Sequence, residues 1–318
     1  MASQPLTFLI TGASSGFGLA LSLHALRNGH NVVATVRTRT GGRHASAVQA
    51  IEELGGKCVE LDVSDLAAIP AVVASVLDGG RGKIDVLVNN AGYSLLGAVE
   101  DMTIEETKAQ METNFFGPLR LVQAVVPHMR ARRSGTIVNV SSVAGLFALP
   151  SCGLYSASKF ALEGKCRCPS ALPRTCLSES LAKELSPFNI DVLIVEPGAF
   201  RTNFLASGVH TEKPLSDAYA DASSPLTQTL NRLADYQAQG PPGDTDKGAR
   251  VIYEVVVGNA SGEKNGEAGE LKGKLLRLLL GKDAVKRMEA KIGSLQADLE
   301  KMRGVASGTD AHDARVFI

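Results

Sequence analysis

6-LTFLITGASSGFGLALSLHALR-27 joins three kinds of sequence in one short span. Leu6–Thr11 is apolar and bounded by glycine, which predicts a buried strand. Gly12, Gly16 and Gly18 follow, and Phe17–Arg27 then reads as a helix. Glycines between strand and helix let the chain turn sharply, approach a pyrophosphate and pack the helix tightly. Backbone N–H groups at the helix start then hold phosphate. The stretch therefore predicts an α/β domain with a phosphate site at its first turn.

Outward from this point the alternation continues. Asn31–Val36, Lys57–Leu61, Asp85–Asn89, Thr136–Val140 and Asp191–Val195 read as buried strands, and Ile104–Arg132 and Leu177–Leu185 as helices. Strand–helix alternation of this kind means a doubly wound parallel sheet with helices on both faces. Residues 1–258 are expected to form the nucleotide-binding and catalytic domain, with a substrate lid at about 203–247. Arg250–Val257 reads as the end of a packed helix. Residues 259–318 are expected to hold a glycine-rich loop, an edge strand at Leu275–Leu280, a helix and a loose tail from Gly304. In that C-terminal helical extension Met288, Ile292, Leu295, Leu299 and Met302 keep a near-heptad rhythm, read as an amphipathic face docked on the domain or, alternatively, paired with a partner.

Composition narrows the function. The 318 residues carry 33 basic and 33 acidic side chains, and 44% are hydrophobic. A balanced charge gives no electrostatic case for nucleic acid or an acidic membrane surface. No apolar run reaches the length of a membrane span. The start, 1-MASQPLTFLITGAS, lacks the pattern of a secretory signal. Five cysteines without framework spacing fit a reducing compartment, so a cytoplasmic location is expected.

The spacing in 11-TGASSGFG-18, with 62-DVSD-65, 89-NNAG-92 and 197-PGAFRT-202 in that order, resembles the short-chain dehydrogenase/reductase family over residues 6–202. The resemblance implies a Rossmann-like domain and a nicotinamide dinucleotide. Thr11, Gly12, Ser14, Gly16 and Gly18 would hold its phosphates, and Asp62 its adenine. Asn89, Ala91 and Gly92 would line it, and Pro197, Gly198 and Thr202 would hold the nicotinamide amide. It also implies a catalytic set of Asn114, Ser142, Tyr155 and Lys159, with Tyr155 and Lys159 on the ribose as well; Ser141 is the alternative serine. Their chemistry is coherent. Tyrosine titrates near ~10, and a neighbouring ammonium brings it down toward neutrality. Tyr155 and Lys159 are spaced i, i+4, on one helix face. The expected reaction is hydride transfer between a carbonyl and a secondary alcohol.

The second strand ends in Val36 and Arg37, with Arg39 beyond, where an acidic side chain would select NAD(H). A guanidinium suits a 2′-phosphate, so NADP(H) is expected over NAD(H). Phe147, Leu149, the region of Cys152, Phe200, Phe204 and Leu205 point to a hydrophobic small-molecule substrate. Homo-oligomerisation stays open.

One segment breaks the pattern. In 155-YSASKFALEGKCRCPSALPRTCLSESLAKEL-185, removing residues 165–176 leaves one continuous apolar stripe through Leu162, Leu177, Leu181 and Leu185. Pro169 and Pro173 would each cost ~3 kcal/mol inside a helix. The twelve residues therefore read as an insertion: a looped-out bulge, a retained intron, or a metal or redox site at Cys166, Cys168 and Cys176. The last lacks zinc-site spacing, so no metal is expected. An interrupted helix also leaves a rival function, a cofactor-binding homologue with impaired catalysis.

Overall fold

The computed structural model describes residues 4–39, 44–163, 177–259 and 266–308. The strands are β1 (Thr7–Ile10), β2 (Asn31–Val36), β3 (Lys57–Glu60), β4 (Val86–Asn89), β5 (Leu95–Leu96), β6 (Gly135–Val140), β7 (Ile190–Pro197), β8 (Val209–His210) and β9 (Arg277–Leu280). The helices are α1 (Gly16–Arg27), α2 (Ala45–Glu53), α3 (Ala68–Val76), α4 (Ile104–Met111), α5 (Gly117–Arg132), α6 (Gly153–Glu163), α7 (Leu177–Leu185), α8 (Pro225–Gln239), α9 (Thr245–Val257), α10 (Gly266–Gly269) and α11 (Lys282–Ser307).

Among the described residues seven strands form one sheet in the order β3-β2-β1-β4-β6-β7-β9. Every neighbouring pair is parallel. Side chains alternate along each strand, so a strand buried on both faces feeds two cores. Phe8 and Ile10 of β1 join Leu21 of α1 and Ile252 of α9 on one face. Leu9 joins Val73 of α3, Leu121 and Met129 of α5 and Leu181 of α7 on the other. Full burial of each such side chain contributes about 1.5–3 kcal/mol, which explains why these strands are nearly all apolar. Strand order reverses between β1 and β4. A crevice therefore opens at their carboxyl ends, where the 11–18 turn and the 89–92 stretch meet. The small β5–β8 ladder sits beside it and ties the 209–216 region to the sheet domain.

Two expectations are corrected. The helix over Ile104–Arg132 is two helices joined by a π-turn at Glu112–Phe116. The C-terminal helix runs on to Ser307, past Gly304 where the sequence predicts a loose tail, and is buried at its base. Among the described residues Ala284 is buried there, Met288 and Leu299 of its apolar stripe are half-buried, and Ile292, Leu295 and Met302 are exposed. Residues 203–247, expected as a lid, include the helix α8. The insertion at residues 165–176, with Cys166, Cys168 and Cys176, lies outside the described residues.

Its two flanks are informative. The Ser178 hydroxyl donates to the Leu162 carbonyl at 2.5 Å across sixteen residues of sequence. With the twelve inserted residues discounted, the interval is four, the back-bond a serine makes within one helical turn. The end of α6 and the start of α7 thus keep the register of a single helix.

Candidate active site

The glycine turn is built for close backbone approach. Gly12 and Gly16 have φ of 65° and 54°, values an L side chain rarely adopts. A Cβ on Gly12 would lie 2.8 Å from the Ala91 Cα, so the turn and the 89–92 stretch interlock. Thr11 completes the joint: its Oγ1 accepts from the N–H groups of Asn90 at 3.0 Å and Ala91 at 3.1 Å. Asn90 Nδ2 donates back to the Thr11 carbonyl at 2.9 Å. Asn89 is buried instead between strands, its Nδ2 donating to Asn139 Oδ1 at 2.8 Å.

These residues fit a dinucleotide. The first turn of α1 has no acidic side chain, and the Ser15 side chain makes no capping bond, so the positive end of the helix dipole is left for an anion. Arg37 is exposed just past β2. Arg39 is diverted into an ion pair with Glu52 at 2.9 Å. Asp62 is fixed by Ser64, whose N–H and Oγ donate to Oδ1 at 2.9 and 2.7 Å. Across the crevice, Thr202 faces the turn: a Cβ on Gly16 would meet its Cγ2 at 3.3 Å. Gly198 donates to the Leu280 carbonyl at 2.9 Å, and Ala199 N–H to Asp283 Oδ2 at 2.9 Å.

Asn114, Ser142, Tyr155 and Lys159 converge where β4 and β6 end. The π-turn carries Asn114 inward, a common use of such a turn. Asn114 Nδ2 donates to the Tyr93 carbonyl and to Ser158 Oγ, each at 3.0 Å. Lys159 is buried and donates to the Val140 carbonyl at 2.9 Å. Its ammonium lies 5.8 Å from the centre of the Tyr155 ring. Gly92 leaves room for both: a Cβ there would sit 3.1 Å from Asn114 Oδ1 and 3.5 Å from Lys159 Nζ. Ser142 caps a short turn, its hydroxyl accepting from Ala144 N–H at 3.1 Å, and its side chain sits on the Tyr155 hydroxyl side, where it lowers the phenol's pKa.

The electrostatics differ from the simple expectation. Burial pushes the Tyr155 pKa up, and the relief comes from the Ser142 side chain. Burial also lowers the Lys159 pKa to about 8, against the attraction of Glu163. The ammonium is held near the phenol by a carbonyl and relieves it less than its sequence spacing suggests.

An apolar wall adjoins Tyr155. Leu96, Ala144 and Cys152 are buried against it, with Leu149, Phe204, Leu230 and Leu233 packed around them. Phe204 and Tyr155 have ring centroids 5.5 Å apart. Leu149, Cys152 and Phe204 are thus where the sequence expects them, and α8 adds Leu230 and Leu233, which no motif signals. Phe200 goes elsewhere, against Phe17 at 5.0 Å in the main core. Phe147 stacks under the Arg287 guanidinium at 4.6 Å.

A family model described as short chain dehydrogenase matches residues 6–213. The chain belongs to the short-chain dehydrogenase family. Members of that family are NAD(P)-dependent oxidoreductases. This short-chain dehydrogenase is 37% identical to a solved short-chain dehydrogenase from Streptomyces avermitilis, with a TM-score of 0.79 over 98% of this chain and 100% of that one. It is 32% identical to a metagenomic short-chain oxidoreductase solved with NADP, with a TM-score of 0.54 over 62% of this chain and 83% of that one. It is 40% identical to the 3-ketodihydrosphingosine reductase of Bacteroides thetaiotaomicron over 202 residues, 63% of this chain and 66% of that protein. Among the described residues no helix is long and apolar enough to cross a membrane.

Proposed function

We propose that this short-chain dehydrogenase is an NADP(H)-dependent oxidoreductase that interconverts a hydrophobic carbonyl compound and its secondary alcohol. The observation that carries this reading is the meeting of Ser142, Tyr155, Lys159 and Asn114 beside the glycine turn. NADP(H), when bound, supplies or accepts the hydride. Thr11, Gly12, Ser14, Gly16 and Gly18 hold its phosphates, Asp62 its adenine, and Ala91 and Gly92 line its path, with the buried Asn89 fixing the strand behind them. Pro197, Gly198 and Thr202 hold the nicotinamide amide. Ser142 donates a hydrogen bond to the substrate oxygen and orients it. In reduction Tyr155 gives its phenolic proton to that oxygen; in oxidation it takes the hydroxyl proton. Lys159 supports the charge this leaves on Tyr155 and binds ribose, and Asn114 keeps the lysine side of the site polar. The apolar wall of Leu96, Leu149, Phe204, Leu230 and Leu233 excludes water from the reacting oxygen.

Several observations support the finer points. Exposed Arg37, with Arg39 already paired, favours a 2′-phosphate. The apolar wall favours a hydrophobic substrate, and the 40% identical relative is by name a ketone reductase. The continuous register between Leu162 and Ser178 favours a competent catalytic helix over the impaired homologue. The free, buried thiols of Cys58 and Cys152 fit a reducing, cytoplasmic setting. The test is consumption of NADPH and NADH with long-chain ketones and aldehydes. Turnover with NADPH above NADH supports the reading, and NADPH binding without turnover across the panel favours the impaired homologue.

A further inference from the structure

Behind the proposed site lies a cluster of charge that the mechanism above does not use. Arg277, from β9, reaches three carboxylates. It donates to Glu163 of α6 at 2.8 Å, Glu179 of α7 at 2.6 Å and Glu196 of β7 at 2.5 Å. Glu163 and Glu196 are completely buried. Glu163 also accepts a hydrogen bond from Ser141 Oγ.

The position of each partner gives the cluster meaning. Glu163 lies one turn beyond Lys159 and two beyond Tyr155, on the helix that carries both. Ser141 stands between Val140, whose carbonyl holds Lys159, and Ser142, whose side chain lowers the pKa of Tyr155. A bond from Glu163 to Ser141 therefore joins the helical half of the site to the strand half. Glu179 stands sixteen residues after Glu163, the same interval as Leu162 and Ser178, so one guanidinium grips both sides of residues 164–176 at helical spacing. A side chain grafted on Gly145 would strike Glu163 Oε1, so the 143–145 turn also leans on this carboxyl.

Resting on the proposed site, we infer that Arg277 is a positioning residue: through Glu163 and Ser141 it fixes Lys159 and Tyr155 against Ser142, and through Glu179 it holds α6 to α7 across the inserted segment. Three carboxyls around one guanidinium cannot all be ionised cheaply in a buried site. Burial and Glu196 push the Glu163 carboxyl up, and Ser141 and Arg277 oppose the shift. Negative charge on Glu163 attracts Lys159 and opposes ionisation of Tyr155, so pushing this carboxyl up weakens both effects, while Arg277 answers Glu179 and Glu196.

The test is a double-mutant cycle read in NADPH affinity by nucleotide fluorescence on the full chain: wild type, Arg277→Met, Lys159→Met and the pair. Positioning predicts that Arg277→Met weakens NADPH about tenfold, and that adding it to Lys159→Met brings no further loss, because the tie acts through the lysine. Arg277→Lys, which keeps a cation, restores part of the affinity. Wild-type affinity in Arg277→Met, or losses that simply multiply in the pair, overturns the inference while leaving the site reading intact. Wild-type affinity in Lys159→Met overturns the site reading and the inference with it. Should Arg277→Met fail to fold, Ser141→Ala cuts the same tie. A loss of about threefold that vanishes in the Lys159→Met background supports the inference, and a multiplying loss or none overturns it.

Discussion

Gly198→Ala measures how far the C-terminal extension supports the cofactor site. A Cβ at residue 198 would lie 2.1 Å from Asp283 Oδ1 and 2.3 Å from Oδ2. An ordinary contact needs about 3.5 Å, so the carboxylate must retreat by at least about 1 Å. Backbone strain does not enter, because Gly198 is outside the left-handed region. The retreat breaks the 2.9 Å bond from Ala199 N–H to Asp283 Oδ2. Losing a charged acceptor from a partly buried N–H costs about 1–3 kcal/mol. In a chain of this length that lowers Tm by roughly 2–6 °C. The loop carrying Pro197 and Thr202 loosens at the same time, and NADPH binding weakens about three- to tenfold. Differential scanning fluorimetry with and without NADPH reads both effects. Asp283→Ala removes the same bond, so the pair should be no worse than Asp283→Ala alone. A wild-type Tm in Gly198→Ala, or additive losses in the pair, would refute the reasoning.

Other consequences can be checked independently. Because burial lowers the Lys159 pKa to about 8, the unfolded chain holds the extra proton between that value and the ordinary 10.5, and stability from this group rises with pH across that window. Relative to Lys159→Met the wild type should therefore gain Tm as pH is raised from 8 to 10.5, and a constant gap would contradict the buried ammonium. Deleting residues 165–176 joins two helix ends that already share a register, so the shortened chain should melt higher and oxidise NADPH faster; equal values would sink the idea. Arg37→Ala should weaken NADPH about tenfold with little change for NADH, whereas Arg39→Ala, already paired with Glu52, should alter neither much.

The parts of this protein that could be read from sequence are those whose physics is local. Strand, glycine turn and helix at Leu6–Arg27 lie within one stretch, and Tyr155 and Lys159 share a helix face by spacing alone. The π-turn at Glu112–Phe116 was not legible, because an i→i+5 turn leaves no mark in periodicity or composition. Arg277 was hidden for another reason. Its partners Glu163 and Glu196 lie 114 and 81 residues away, joined only when β7 and β9 pair. Phe200 and Phe147 misled because apolar character states that a side chain is buried and not which core receives it. The heptad rhythm of α11 likewise named an apolar face without naming its neighbour. Residues 165–176 could be recognised as an insertion only because Leu162, Leu177, Leu181 and Leu185 make sense without them.

The central claim is that Tyr155 transfers the proton while NADP(H) exchanges the hydride. Tyr155→Phe removes one oxygen and keeps the ring that packs on Phe204. Its most direct test is the rate of NADPH oxidation at saturating carbonyl substrate, measured for wild type and Tyr155→Phe beside their NADPH affinities. The account predicts turnover by the wild type and a fall of about 10²–10⁴-fold in the variant, with NADPH affinity within about threefold. A variant that turns over at the wild-type rate would contradict it.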